Sequence, residues 1–201
     1  MNKDIEQISE QLGKKTVLLP NSTNADCYAV YSKEEYSEPH KKLLVDGKGY
    51  KHRLYLYKKT ANSDSDKVLT FILLNPGSSN HIEQDEQIEK FAKLAENKYG
   101  AIEVFSIFTL RTVDVIDSVS EDAILDAVKC DIGKNDIVLA FGDEIKPTEK
   151  YKNISNEDLE KINRVRQIKI DELLSFLKAL NKENIYTLEF NSNNKLSLAK
   201  W

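Results

Sequence analysis

Phe71-Ile72-Leu73-Leu74 runs straight into Asn75-Pro76-Gly77-Ser78-Ser79-Asn80. A short run of large apolar side chains stopped by a polar, turn-forming cluster reads as a buried strand emptying into a tight loop. In an open α/β sheet, ligands bind in the crevice outside the carboxyl ends of the strands, so a strand that ends this way marks a candidate site. Proline fixes its own φ and keeps the preceding Asn75 out of the helical region, while Gly77 allows the backbone to approach a ligand closely. Asn75 is therefore expected to be presented rigidly. Taken alone, Asn-Pro-Gly is more often a turn and nothing more, and the flanking chain has to decide between the two.

At 201 residues, the chain is long enough for one α/β domain with a proper core and short for two. A single domain over residues 1–201 is expected, with residues 1–66 as an N-terminal helix and basic hairpin extension and 67–201 as the core. No apolar run approaches membrane-spanning length, and Met1-Asn2-Lys3-Asp4 lacks the basic and apolar regions of a signal peptide, so the expectation is a cytoplasmic protein without a membrane partner. Cys27 and Cys130 lie far apart, and His40, His52 and His81 form no ligand spacing. Neither a disulfide nor a metal is indicated.

The net charge of −4 argues weakly against bulk affinity for nucleic acid, but the charge is unevenly spread. Between His40 and Lys59, the cations Lys41, Lys42, Lys48, Lys51, Arg53, Lys58 and Lys59 face one acid, Asp46, with Tyr50, Tyr55 and Tyr57 among them. Cations interleaved with aromatics suit backbone tracking and base stacking. They equally suit a solvated hairpin whose lysines keep an edge strand from pairing with neighbours.

Periodicity predicts a helix to Gly13, strands at Thr16–Leu19 and Cys27–Tyr31, an irregular Glu34–Leu44, and an alternating strand at His52–Lys58. After a polar linker at Ala61–Asp66, the central strand Val68–Leu74 leads to a helix from about Asp85 with Ile88, Phe91, Leu94 and Ala95 on one face. Further strands are expected at Ile102–Phe108, Asp136–Phe141 and Ile185–Phe190. Helices are expected at Glu121–Cys130 and from the N-cap Ser155 through Leu180, the latter with Ile162, Val165, Leu173, Leu177 and Leu180 inward and Lys161, Arg164, Arg166 and Lys169 on a solvated face. The expected fold is a three-layer α/β/α sandwich around a central, mostly parallel, four-stranded sheet.

Grouped by strand end, the candidate site holds Asn75 to Ser79, Arg111 with Thr112, Gly142 with Asp143, and the Asn191–Asn194 region. The group has no paired Ser and His, no Cys and His, and no phosphate-binding glycine loop. An amide donates and accepts hydrogen bonds but takes no proton at neutral pH, so chemistry centred on Asn75 means positioning a water and reading a neutral polar ligand.

The stretch Phe71–Ser79 resembles the water-activating Gly-Ile-Asn-Pro-Gly motif of the mismatch-specific branch of the uracil-DNA glycosylase superfamily. Ile137-Val138-Leu139-Ala140-Phe141-Gly142 is similar to the apolar strand ending in Trp-Gly that follows it in those enzymes. The ordered series of Leu-Asn-Pro, Asp85 with Ile88, Phe108-Thr109-Leu110-Arg111-Thr112 with Asp114, and Phe141-Gly142 resembles an uncharacterised bacterial and mobile-element family related to them. The resemblance covers about Arg53 to Gly142. It implies hydrolysis, without metal or other cofactor, of the N-glycosidic bond of a uracil flipped out of single- or double-stranded DNA, by a monomeric enzyme. Asn75 would hold the attacking water. Pro76, Gly77, Ser78 and Ser79 would shape the uracil pocket, with Phe105 or Phe108 stacking on the base and Asn191 and Asn193 as further donors. Lys51, Arg53, Arg111, Thr112, Lys195 and Leu196 would contact DNA, Arg111 alternatively buttressing the loop or pairing with Asp114 or Asp85. An acidic, DNA-mimicking inhibitor protein is a further implied partner.

The tail departs from the resemblance. Asn191-Ser192-Asn193-Asn194-Lys195-Leu196-Ser197-Leu198 has neither the histidine nor the prolines of the His-Pro-Ser-Pro-type loop, a loss worth a few kcal/mol of transition-state stabilisation. Two competing classes therefore stand beside the glycosylase: a catalytically silent nucleic-acid-binding protein, and a hydrolase of free nucleosides or nucleotides.

Overall fold

The computed structural model describes residues 16–20, 26–39, 41–45, 47–62, 64–78, 86–112, 114–119, 135–148, 151–190 and 196–201. Its elements are β1 (Thr16–Pro20), β2 (Cys27–Ser32), β3 (Arg53–Lys59), β4 (Val68–Leu73), α1 (Glu86–Ala95), β5 (Ala101–Ser106), α2 (Val115–Val119), β6 (Asp136–Ala140), α3 (Asn156–Ala179), β7 (Ile185–Phe190) and β8 (Leu196–Lys200). The helices expected before Gly13 and at Glu121–Cys130 lie outside the described residues.

The runs Val68–Leu73 and Ala101–Ser106 are apolar on both sides of the pleat, so both strands must be covered above and below. Every residue of β5 is buried, as is all of β4 after Val68. One sheet carries all eight described strands in the order β1-β2-β3-β5-β4-β6-β7-β8. β4 pairs in parallel with β5 and β6, and β6 with β7; the other four pairings are antiparallel. This overturns the expected three-layer sandwich on a four-stranded, mostly parallel sheet. The sheet is mixed and twice as wide, and among the described residues the helices are few. The physical reason is edge pairing. Leu56 of β3 lies opposite Val104 of β5, which draws the N-terminal hairpin into the sheet, and Leu198 of β8 lies opposite Leu188 of β7.

Side-chain alternation divides the core. Leu69, Phe71 and Leu73 of β4, with Ile102, Val104 and Val138, pack against Ile88, Phe91, Ala92 and Ala95 of α1. Phe91 lies flat on Phe71, with ring centroids 4.2 Å apart and planes 8° from parallel. On the other face, Ile72, Leu74, Phe105, Ile137 and Leu139 meet Ile170, Leu173 and Leu177 of α3. Glu103, also on a central strand, keeps its buried carboxylate hydrogen-bonded to Tyr55 Oη (3.0 Å), Thr70 Oγ1 (3.2 Å) and Asn135 Nδ2 (2.9 Å). That satisfies a group whose bare burial would cost several kcal/mol.

α3 begins as expected: Ser155 Oγ accepts from the Asp158 amide and donates to its carboxylate, 3.1 and 2.7 Å. Its buried stripe is Leu159, Arg166, Ile170, Leu173 and Leu177. Val165 and Leu180, expected inward, are 42% and 44% exposed, and Arg166, expected on the solvated face, is buried.

At the end of the sheet away from the Asn75 loop, the α1–β5 connection passes so close to the 62–65 turn that a Cβ on Gly100 would lie 1.7 Å from the Ser65 carbonyl oxygen. Beside it, Tyr99 Oη donates to Asp136 Oδ2 at 2.6 Å and Lys98 Nζ to the same oxygen at 3.2 Å. Burial pushes the Tyr99 hydroxyl up to about 12. Partial burial opposes ionisation of Asp136, but the bonds from Tyr99 and Lys98 outweigh it and hold the carboxyl below its ordinary value. A depressed carboxyl contributes stability in full above the ordinary aspartate value of 3.8 and loses it as pH falls through the folded value.

Two outcomes are expected in urea denaturation. Phe91→Ala should cost about 3–5 kcal/mol, because it removes the ring stacked on Phe71 and leaves a cavity. Tyr99→Phe should cost about 1–2 kcal/mol at pH 7. The gap between Tyr99→Phe and wild type should close as pH falls below 3.8, where Asp136 becomes protonated.

Candidate functional site

Parallel pairing continues just past β4. The Ile107 amide donates to the Leu73 carbonyl and the Phe108 amide to that of Leu74, both at 2.9 Å, while Leu73 lies beside Ala140 of β6. Two residues beyond that register, Asn75 leaves the sheet level with Gly142. The chain goes from β4 to β5 on one side and later to β6 on the other, so strand order reverses between β4 and β6. Crevices at such a reversal are where open α/β sheets hold ligands.

Asn75 is half-buried, Pro76 is buried, and Gly77 turns the loop at φ +61°. An open cleft of about 1700 Å³ lies at these strand ends, and Asn75, Phe141, Gly142 and Asp143 line it together with Lys90 of α1. No side-chain hydrogen bond engages the Asn75 amide among the described residues, so both its oxygen and its NH2 remain open to a ligand. Gly142 has φ +68°, and a Cβ there would meet nothing within 4 Å. Glycine is needed at this turn for backbone conformation and not for room.

Two arginines hold these loops. Arg166 of α3 donates from Nη2 to the Gly142 carbonyl at 2.6 Å, and Asn163, one turn earlier, bonds both the amide and the carbonyl of Ile145 (3.0 and 2.8 Å). Burial pulls the Arg166 pKa down, with Glu144 and Asp143 opposing. Arg111 is wholly buried, and its pKa is lowered chiefly by that burial. It donates from Nη2 to the Ser78 carbonyl (3.1 Å) and from Nη1 to those of Leu43 (2.9 Å) and Tyr50 (3.2 Å), with its guanidinium 5.3 Å from the Tyr31 ring centroid.

The residues singled out in the sequence divide accordingly. Asn75, Pro76, Gly77 and Ser78 form one loop, of which Asn75 lines the cleft, and Leu196 lines the same cleft from β8. Ser79, Asn191, Asn193 and Lys195 lie outside the described residues. Phe105 and Phe108 are 1% exposed in the core on the α3 side, where they cannot stack on a base. Arg53 and Arg111 are buried and present no guanidinium to a phosphate, so the loop-buttressing alternative describes Arg111. Thr112 is buried too, its hydroxyl donating to Asp117 at 3.1 Å at the start of α2.

The basic stretch is likewise used internally. Lys48 pairs with Glu35 (3.6 Å), Lys51 with Glu34 (2.5 Å), Lys58 with Glu89 (2.8 Å) and Lys59 with Asp26 (3.1 Å). Tyr50, Tyr55 and Tyr57 are core residues. Its excess of cations over acids is real only within the stretch, because the matching carboxylates come from elsewhere in the chain.

Sequence reasoning missed Arg166, whose spacing from Leu159, Ile170 and Leu173 puts it on the buried stripe, and Phe141, an aromatic that lines the cleft just past the end of β6. Among the described residues, no three His, Cys, Asp or Glu side chains gather to hold a metal ion, and no helix is long and apolar enough to cross a membrane.

These features define a protein with a mixed, eight-stranded sheet and an open cleft at a strand-order reversal, lined in part by an asparagine whose amide has no side-chain hydrogen bond among the described residues. The chain belongs to the family described as Protein of unknown function (DUF1643), which it matches over residues 53–182. No curated protein and no solved structure matches it.

Arg166→Met should cost no more than about 1.5 kcal/mol in chemical denaturation, because the lost bond to the exposed Gly142 carbonyl is partly offset by no longer burying a guanidinium.

Proposed function

We propose that the protein hydrolyses N-glycosidic bonds, with uracil in DNA as its substrate. The observation that carries this reading is the Asn75 amide, half-buried, unengaged and set at the reversal between β4 and β6. The likeness of its loop to the water-activating motif of uracil-DNA glycosylases supports it. In the reaction, the Asn75 side chain holds a water against C1′ of the sugar. As the water oxygen bonds to C1′, the C1′–N1 bond breaks, its electron pair leaves with the base, and the proton lost by the water ends on the released uracil. Main-chain amides of Gly77 and Ser78, in the same loop as Asn75, are candidate donors to the departing base, and Phe141 is one of the aromatics lining the cleft that would stack on it.

A free nucleoside or nucleotide is the second reading for the same chemistry. It is favoured by the internal pairing of Lys48, Lys51, Lys58 and Lys59, which leaves that face a poor track for a phosphate backbone.

Wild type and Asn75→Ala should be compared for free uracil release from single- and double-stranded uracil-containing oligonucleotides and from deoxyuridine and its monophosphate. Release from the oligonucleotides, reduced about 100-fold in Asn75→Ala through lost positioning of the water, is the expected result. Release only from the small substrates would select the second reading, and no release from any substrate would overturn both.

A further inference from the structure

Residues Glu34–Tyr50 precede the part of the chain that matches the family, and nothing in the sequence links them to the Asn75 loop. The structure nevertheless ties them to the Asn75 loop through one side chain. Arg111 Nη1 bonds Leu43 and Tyr50, its Nη2 bonds Ser78, its amide donates to the Lys51 carbonyl (2.7 Å), and its own carbonyl accepts from Tyr36 Oη (2.9 Å). The guanidinium is fully buried and its Nε has no hydrogen-bond partner among the described residues. A buried cation whose recorded bonds go to main-chain carbonyls of three segments is costly to desolvate, so its placement marks those carbonyls as what it is there to hold.

We propose that Arg111 is a positioning residue. It fixes the loop carrying Asn75 against the segment from Glu34 to Lys51, and that segment is a working part of the site. The kinetic part of this inference rests on the reading of Asn75 as the water-holding group; the structural part does not. Arg111 touches no substrate in this scheme. Its fork spans Ser78 on one side and Leu43 with Tyr50 on the other, a bridge that the point charge of a lysine cannot make.

The test uses the full chain with Arg111→Lys, which keeps the charge and loses the bridge, and Tyr36→Phe, which removes one hydroxyl remote from the loop. Hydrogen–deuterium exchange of a peptide spanning Leu74–Ser78 is read alongside kcat and KM for uracil release. The expected result for Arg111→Lys is exchange in that peptide at least about fivefold faster, the size of one lost hydrogen bond, and kcat lowered about tenfold or more with KM within about twofold. Tyr36→Phe should accelerate the same peptide in the same direction, although it does not touch it. Loop exchange unchanged in both folded variants would overturn the inference. So would a raised KM at unchanged kcat, which would make Arg111 a substrate contact. If Arg111→Lys fails to fold, Tyr36→Phe decides by its loop exchange alone. Wild-type protein that releases no base would sink the functional reading, and the exchange measurements would still decide the positioning role.

Discussion

Parallel pairing of β4 along both edges is the constraint on which the rest of the structure depends. A strand hydrogen-bonded on two sides and covered on two faces has one free direction, its carboxyl end. The apolar side chains from Leu69 to Leu74 are therefore committed to packing against α1 and α3 by simple alternation, and Asn75 is the first residue with room for anything else. The cleft needs no further specification. It is the space left beyond the carboxyl ends of β4 and β6, where the strand order reverses.

Holding that opening in shape falls to buried arginines. A guanidinium in the interior is a poor source of stability, since desolvation consumes most of what its bonds return. Its value lies in geometry, because a rigid fork of donors fixes carbonyls from separate segments relative to one another. Arg166 does this for the turn after β6 and Arg111 for the loop after β4, so both walls of the reversal are set by side chains that never face the cleft.

The parts legible in sequence were those with a local cause. The apolar run before Asn-Pro-Gly, the Ser155 cap and the strands around Val104 and Val138 each follow from neighbouring residues. What was not legible depended on distant partners. Nothing near Leu198 says that it lies opposite Leu188, and nothing near Leu56 says that Val104 awaits it, so the sheet's width was underestimated. Arg53, Arg111 and Arg166 were read from their charge, whereas their places were set by the periodicity of the elements carrying them. In α3, Leu173 and Leu177 face inward as expected and Ile162 packs partly buried on the core, whereas Val165 and Leu180 are exposed, Val165 lying with Ile168 in a weaker apolar row beside the buried one. At the cleft, the loop Asn75–Ser78 was singled out from its own residues, and Asn75 lines the cleft. The residues that brace the loop, Leu43, Tyr50 and Tyr36, lie in a stretch with no regular pattern.

The matched lysines on β3 and its flanks have a consequence for encounter rates. Each of Lys48, Lys51, Lys58 and Lys59 forms a short dipole with a carboxylate, and a field of dipoles dies away faster than one of isolated charges, well inside the screening length of about 8 Å. A polyanion drifting past these four pairs would feel little pull from them at a distance. Its association would proceed at the unsteered rate of about 10⁵–10⁶ M⁻¹s⁻¹ and would respond little to ionic strength, however basic the stretch looks when written out.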